Sequence, residues 1–181
     1  MKTYIALFRG INVGGKNRLP MKELVAVLGG LGLEDVRTYI QSGNAVFRGP
    51  EDSVGLGEAI SAAVGQSHGF TPRVHLLSRA AFDAAAIANP YPDAEADPKT
   101  LHLFFLGSRA ADPDYGKLAA MRKDSERCEL TGAVFYLHAP DGIGRSKLAA
   151  GAEAALGVPV TARNWRSVEK IRALAAAVDA D

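Results

Sequence analysis

Val36-Arg37-Thr38-Tyr39-Ile40-Gln41-Ser42-Gly43-Asn44-Ala45-Val46-Phe47-Arg48 is the stretch whose reading decides the fold. Val36, Thr38 and Ile40 alternate with Arg37, Tyr39 and Gln41, the period of a half-buried strand. Ser42-Gly43-Asn44 is turn chemistry, and Ala45 to Arg48 returns as the second arm of a hairpin. Working back, Tyr4 to Arg9 is a short apolar run that reads as a buried strand ending at Gly10. A Gly-rich loop then leads to Pro20, the first residue of a helix that carries Met21, Leu24, Val25, Leu28 and Leu31 at helical spacing. Working forward, Asp52 or Ser53 caps a helix with Val54, Ile60, Ala63 and Val64 on one side. Val74 to Leu77 is the next strand, so the first half reads β-α-β-β-α-β.

The order then repeats. Ser78 caps a connecting helix stopped by Asn89-Pro90, and Asn89 to Lys99, with three prolines and three acids, reads as a linker. Thr100 to Leu106 is an apolar strand ending at Gly107, and Asp112-Pro113 starts a helix. Glu126 to Leu130 and Ala133 to His138 form a hairpin, Arg145 to Leu156 a helix, and Val158 to Ala162 a strand. A terminal helix holds Val168, Ile171, Leu174 and Val178. Ser42-Gly43-Asn44-Ala45-Val46-Phe47 echoes Thr131-Gly132-Ala133-Val134-Phe135 with one residue deleted, and the first strand of each half ends in glycine. The expected fold is therefore α+β: two tandem ferredoxin-like (β-α-β-β-α-β) sandwiches with a C-terminal helix. Residues 1–88 make the first unit with its connecting helix, and residues 89–181 the second with the C-terminal helix.

Composition bounds the function classes. The chain has 181 residues, 48% hydrophobic and 23% charged, with a formal net charge of +1 and one cysteine. That is an ordinary globular composition, not a disordered, collagenous or coiled-coil one. Cys128 alone excludes an internal disulfide framework and a multi-cysteine zinc site. The near-neutral total argues against a protein that coats itself with nucleic acid. No stretch matches a signal peptide's apolar core of about 7–15 residues or a membrane helix of about 20, so a cytoplasmic address is expected. The charge is nonetheless uneven. Arg9, Lys16, Arg18 and Lys22 lie together without an acid, and Gly142 to Arg172 holds six cations against Glu153 and Glu169.

Three segments carry candidate chemistry. Gly10-Ile11-Asn12-Val13-Gly14-Gly15-Lys16-Asn17 falls one residue short of a phosphate-binding P-loop. Asn17 replaces the hydroxyl that holds Mg²⁺, and Pro20 places the helix start too far beyond Lys16, so nucleotide hydrolysis is not expected. The glycines can still turn backbone N–H groups toward an anion beside Arg9, Asn12, Lys16 and Arg18. Asp141-Gly142-Ile143-Gly144-Arg145-Ser146-Lys147 opens a helix whose unpaired N–H groups, with Arg145 and Lys147, suit a phosphate or carboxylate; helix capping alone also explains it. Arg163-Asn164-Trp165-Arg166 sets an indole between two guanidinium groups, an arrangement that can stack on a base; Trp165 as packing and Asn164 as a helix cap is the other reading. Gln41, Ser42 and Asn44 form a polar hairpin tip. The four histidines show no metal-ligand spacing, and Cys128 has no base in sequence beside it.

Phe8 to Gly15 (FRGINVGG), Tyr39 to Phe47 (YIQSGNAVF) and Thr161 to Val168 (TARNWRSV) resemble the domain of unknown function 1697 family, common in bacteria. The resemblance spans essentially the whole chain and implies two ferredoxin-like units in tandem. It implies no activity. Its motif positions fall on Arg9, Asn12, Gly14, Gly15, Gln41, Ser42, Gly43, Asn44, Arg163, Asn164 and Trp165, with Ser167 where threonine is more usual.

The expected function is binding of a phosphorylated or otherwise anionic ligand, a nucleotide or single-stranded RNA among them. The ligand is expected at a basic cleft between the units, on Arg9, Asn12, Gly14, Gly15, Lys16, Gln41, Ser42, Asn44, Arg145, Lys147, Arg163, Asn164 and Trp165. No cofactor, metal or membrane is implied, and the sequence leaves the oligomeric state open. The alternatives are an enzyme acting on a phosphorylated substrate, with His75, His102 or His138 as base, and a protein-interaction module.

Overall fold

The computed structural model describes residues 1–180. The protein is mixed α+β, with two four-stranded antiparallel sheets and six α-helices among the described residues. Contacts divide it into two units, Met1–Ala84 with the chain from Glu169 on, and Ala85–Val168. The expected division at 88/89 assigned the terminal helix to the second unit. Instead its length beyond Glu169 joins the first, because Asp83 binds Arg172 at 2.8 Å and Asp179 pairs with Arg79 and Thr3.

In the first unit, β1 (Lys2–Arg9), α1 (Met21–Gly30), β2 (Glu34–Tyr39), β3 (Asn44–Gly49), α2 (Leu56–His68) and β4 (Arg73–Ser78) build a sheet of order β2-β3-β1-β4. Tyr4, Ala6 and Phe8 of β1 pack with Leu24 and Leu28 of α1 and Ile60 and Val64 of α2. Strand alternation sends Ile5 and Leu7 to the opposite face, where both are fully buried as well. α2 starts later than expected. Asp52 accepts a bond from the Val54 N–H at 2.9 Å and forms a turn, Gly55 at φ 73° precedes the helix, and Val54 is left 91% exposed rather than packed. Ser78 does cap α3 (Arg79–Ile87), accepting from the Ala81 N–H at 3.1 Å.

The expected linker is partly ordered by a short 3-10 turn, Pro92–Ala96. The second unit follows with β5 (Leu101–Leu106), α4 (Tyr115–Met121), β6 (Arg127–Thr131), β7 (Val134–His138), α5 (Lys147–Leu156) and β8 (Val160–Asn164), in the order β6-β7-β5-β8. Phe104, Leu106, Phe135 and Leu137 face Leu118 of α4 and Leu148 and Ala152 of α5. α6 (Trp165–Ala180) closes the chain.

The two sheets agree in geometry where the letters do not. The Phe8 N–H donates to the Gly43 carbonyl at 2.8 Å, and the Leu106 N–H to the Ala133 carbonyl at 2.9 Å. Ala6 then faces Ala45 as Phe104 faces Phe135. The lettered echo matches Phe47 with Phe135, two residues out of this register. An even slip keeps each side chain on its own face of the sheet, which is why the echo looks sound in one dimension.

Candidate functional site

The loop leaving β1 is built by its own polar side chains. Asn12, at φ 53°, donates through Nδ2 to the carbonyls of Leu19 and Gln41, both at 2.8 Å, and accepts the Leu19 N–H at Oδ1, also at 2.8 Å. Asn17, at φ 52°, donates to the Gly10 carbonyl at 2.9 Å. Between them Val13 and Lys16 bridge, with the Lys16 N–H on the Val13 carbonyl at 3.0 Å. Gly14 and Gly15 therefore form a two-residue hairpin tip with φ of 58° and 74°. Two successive positive φ values suit a tight hairpin turn. The glycine-rich segment is thus a small exposed finger that carries Lys16.

The β2–β3 hairpin tip belongs to the same assembly. Asn44 is 1% exposed and donates to the Tyr39 carbonyl at 2.9 Å and to Ser42 Oγ at 3.2 Å. Gly43 sits at φ 83°, and a Cβ there would lie 2.5 Å from Ile11 Cδ1 and 2.7 Å from Phe8 Cβ. So Asn12, Asn44 and Gly43, expected to serve a ligand or a simple turn, hold the loop and the tip together. Gln41 contributes its main-chain oxygen to that join.

Basic residues collect on the face of this sheet that carries neither α1 nor α2. Phe8, Val36, Phe47, Val74 and Leu76 pack on the helix side. Alternation puts Arg9, Arg37, Arg48, Arg73 and His75 on the other. Arg9 and Arg73 are paired directly across β1 and β4, both exposed, at the sheet end from which the Lys16 finger leaves. Two like charges in direct cross-strand register repel each other. Arg48 lies 3.8 Å from Asp35. The sequence reading missed Arg73, because the strand pairing that sets it opposite Arg9 spans most of the unit.

In the second unit the expected residues take mainly structural places. Ser146 is buried and caps α5, its Oγ accepting the Ala149 N–H at 3.0 Å, with Arg145 and Lys147 exposed on either side. Asn164 caps α6, its Oδ1 accepting the Ser167 N–H at 2.9 Å. Trp165 is 4% exposed, so its ring presents no open face to a base and the stacking role does not hold. Arg163 stands in register with Leu103 and is half-buried; burial pulls its guanidinium down to about 10.

Catalytic constellations are absent or blocked among the described residues. Ser67 Oγ lies 2.7 Å from His68 Nδ1, and His68 Nε2 lies 2.6 Å from Glu23, the atoms of a Ser-His-acid relay. Ser67 also donates to the Ala63 carbonyl at 2.9 Å, and the group sits at the C-terminal end of α2, whose carbonyls repel an oxyanion. His138 Nδ1 accepts from Arg127, which also grips Asp93 at 2.7 and 3.1 Å and lies 4.6 Å from the centre of the Tyr91 ring. Burial pushes the Tyr91 hydroxyl up to about 12. His102 is 8% exposed with Nδ1 unpartnered, and burial lowers its pKa. Burial pushes the Cys128 thiol up, away from reactivity. No group of metal-ligating side chains occurs among the described residues, and no helix is long and apolar enough to cross a membrane.

The family profile described as "Protein of unknown function (DUF1697)" matches residues 1–136. Among solved structures, the chain is similar to the conserved bacterial protein SP0830 from Streptococcus pneumoniae. The two share 26% identity and a TM-score of 0.69, over 96% of this chain and 98% of that one. No curated protein matches the chain.

Proposed function

The chain belongs to the DUF1697 family, and from that premise we propose that it binds a phosphorylated or otherwise anionic ligand at the Arg9 end of the face of its first sheet opposite α1 and α2. The observation that carries this is the cross-strand pair Arg9 and Arg73. Directly opposed strand residues have Cβ atoms about 5 Å apart. Two arginines rooted that close together can bring both guanidinium forks to one phosphate or carboxylate, each through paired N–H donors. Arg37 lies on the same face, and Lys16 extends the charge from the finger beside it. The rigid join made by Asn12 and Gly43 supports a preorganised site, which lowers the ordering cost of binding. His75 shares the face two residues from Arg73, and it is the histidine that supports the second reading, an enzyme acting on the bound phosphorylated ligand. The order β-α-β-β-α-β and the strand order in each unit support the finer fold as well: two ferredoxin-like sandwiches arising by duplication.

A thermal-shift panel of inorganic phosphate, nucleotides, sugar phosphates and short RNA, at low and high salt, tests the reading. A ligand at 100 times its dissociation constant adds about 2.7 kcal/mol, a rise of roughly 5–10 °C in a chain of this size. The expected result is a selective rise that survives salt and vanishes in Arg9→Gln/Arg73→Gln. A rise with RNA alone that collapses in salt would reduce the site to backbone electrostatics. An unchanged response of the double variant removes the placement.

A further inference from the structure

The second unit contains a cavity that the anion-binding reading does not use. It measures about 330 Å³ and lies between α4 and the β6–β7 hairpin, with Leu118, Leu130, Phe135 and Cys128 in its wall. α4 has 7 residues where α1 has 10, so it covers less of its sheet by about one turn. The cavity's volume lies in the range of small-molecule sites, and its mix of apolar wall and few polar groups is theirs too. Arg122 stands at the rim, exposed, with Nη1 on the Glu126 carbonyl at 2.7 Å and four further N–H donors in its fork. Two acids lie nearby, and both are engaged elsewhere. Glu126 is 1% exposed and accepts the Lys123 N–H at 2.9 Å. Glu129 itself contributes to the lining, while strand alternation turns its side chain to the other face of β6, where it accepts from the Thr131 hydroxyl at 3.1 Å. Tyr115, 63% exposed, also lines an adjoining cleft of about 510 Å³ that reaches Arg109.

An apolar slot with a guanidinium at its mouth matches one class of occupant. We propose that this cavity binds a small carboxylic acid with an aliphatic or aromatic body, its tail against Leu118, Leu130, Phe135 and Cys128 and its carboxylate on Arg122. The carboxylate meets the fork in the bidentate geometry that Lys cannot reproduce. The tail removes apolar wall from water, which a free inorganic anion cannot do. Cys128 reports occupancy directly, because it is the only thiol in the chain and stands in the wall.

The test measures the rate at which a maleimide labels Cys128 in the full chain, with decanoate as the probe and decylamine as its charge-reversed control. Each variant is read as the ratio of its own rates without and with probe, so that any effect of Arg122 on thiol reactivity cancels. Decanoate is expected to slow labelling in proportion to occupancy, and decylamine to leave it unchanged. Arg122→Gln is expected to weaken protection about tenfold, the loss of one charge-assisted contact, with Arg122→Lys between. Labelling that ignores decanoate overturns the proposal. So does equal protection by decylamine, or protection undiminished in Arg122→Gln.

Discussion

Asn12 and Gln41, 29 positions apart, are joined by a hydrogen bond of 2.8 Å from the Asn12 side-chain amide to the Gln41 main-chain oxygen. The same amide group holds both main-chain atoms of Leu19 within 2.8 Å. One side chain therefore fixes the loop after β1 at both of its ends, and the finger that carries Lys16 takes its direction from that clamp.

Asn12→Asp tests the clamp with almost no change of shape. The carboxylate keeps the acceptor for the Leu19 N–H and loses both donors, facing two carbonyl oxygens instead. We expect a loss of about 2 kcal/mol in denaturant unfolding, since the part-buried Leu19 carbonyl and the exposed Gln41 carbonyl both lose their donor and meet a like partial charge. Equal stability of the two proteins would show that the loop holds itself by other means.

Gly43→Ala separates crowding from backbone preference. At Gly43 an added Cβ meets Ile11 and Phe8, whereas at Gly10, with φ 79°, it meets nothing within 4 Å. Both changes incur the left-handed penalty of about 1–2 kcal/mol. Only Gly43→Ala adds an overlap in the core, worth about a further 1–3 kcal/mol. Equal shifts in Tm for the two variants would contradict the close approach.

Stability should fall as the medium is acidified through the histidine range. Burial chiefly, and then Arg127, holds His138 below the usual 6.5, and burial does the same to His102. A group whose pKa is lower folded than unfolded stabilises the protein above its unfolded value, and that stability drains away as pH falls toward the folded one. We expect the denaturant midpoint to drop between about pH 7 and pH 5, and His138→Gln to flatten part of the slope. An unaltered slope would take His138 out of the linkage.

Asp179 ties the end of α6 to the first unit. It accepts from Thr3 and pairs with Arg79, and the Thr3 hydroxyl first, then Arg79, hold its carboxyl below the usual 3.8. That contribution is present above pH 3.8 and is lost as pH falls through the lowered value. The side chain is 42% exposed, so water screens the pair and the global effect is small. Asp179→Asn should therefore speed hydrogen exchange in the last turns of α6 while Tm barely moves. Protection unchanged at Val178 would show that packing alone holds the helix end.

The sequence by itself determined the order of elements, and for a local reason. Strand and helix periods, the turn at Ser42-Gly43-Asn44 and the caps at Ser78, Ser146 and Asn164 depend on residues within a few positions of one another. Where the local signal was ambiguous it misled: Asp52 read as a helix cap and proved to be an Asx turn, because Gly55 delays the helix. The Gly-rich loop was legible as an irregular connection but not as a hairpin finger, since its shape depends on Asn12 reaching Gln41. Tertiary structure alone decided that Arg73 faces Arg9, that Trp165 is enclosed, and that the two hairpins correspond two residues away from their lettered echo. The first and the last of those depend on strand register. Register is set by which side chains fill the core from distant parts of the chain, and no short window of sequence contains that information.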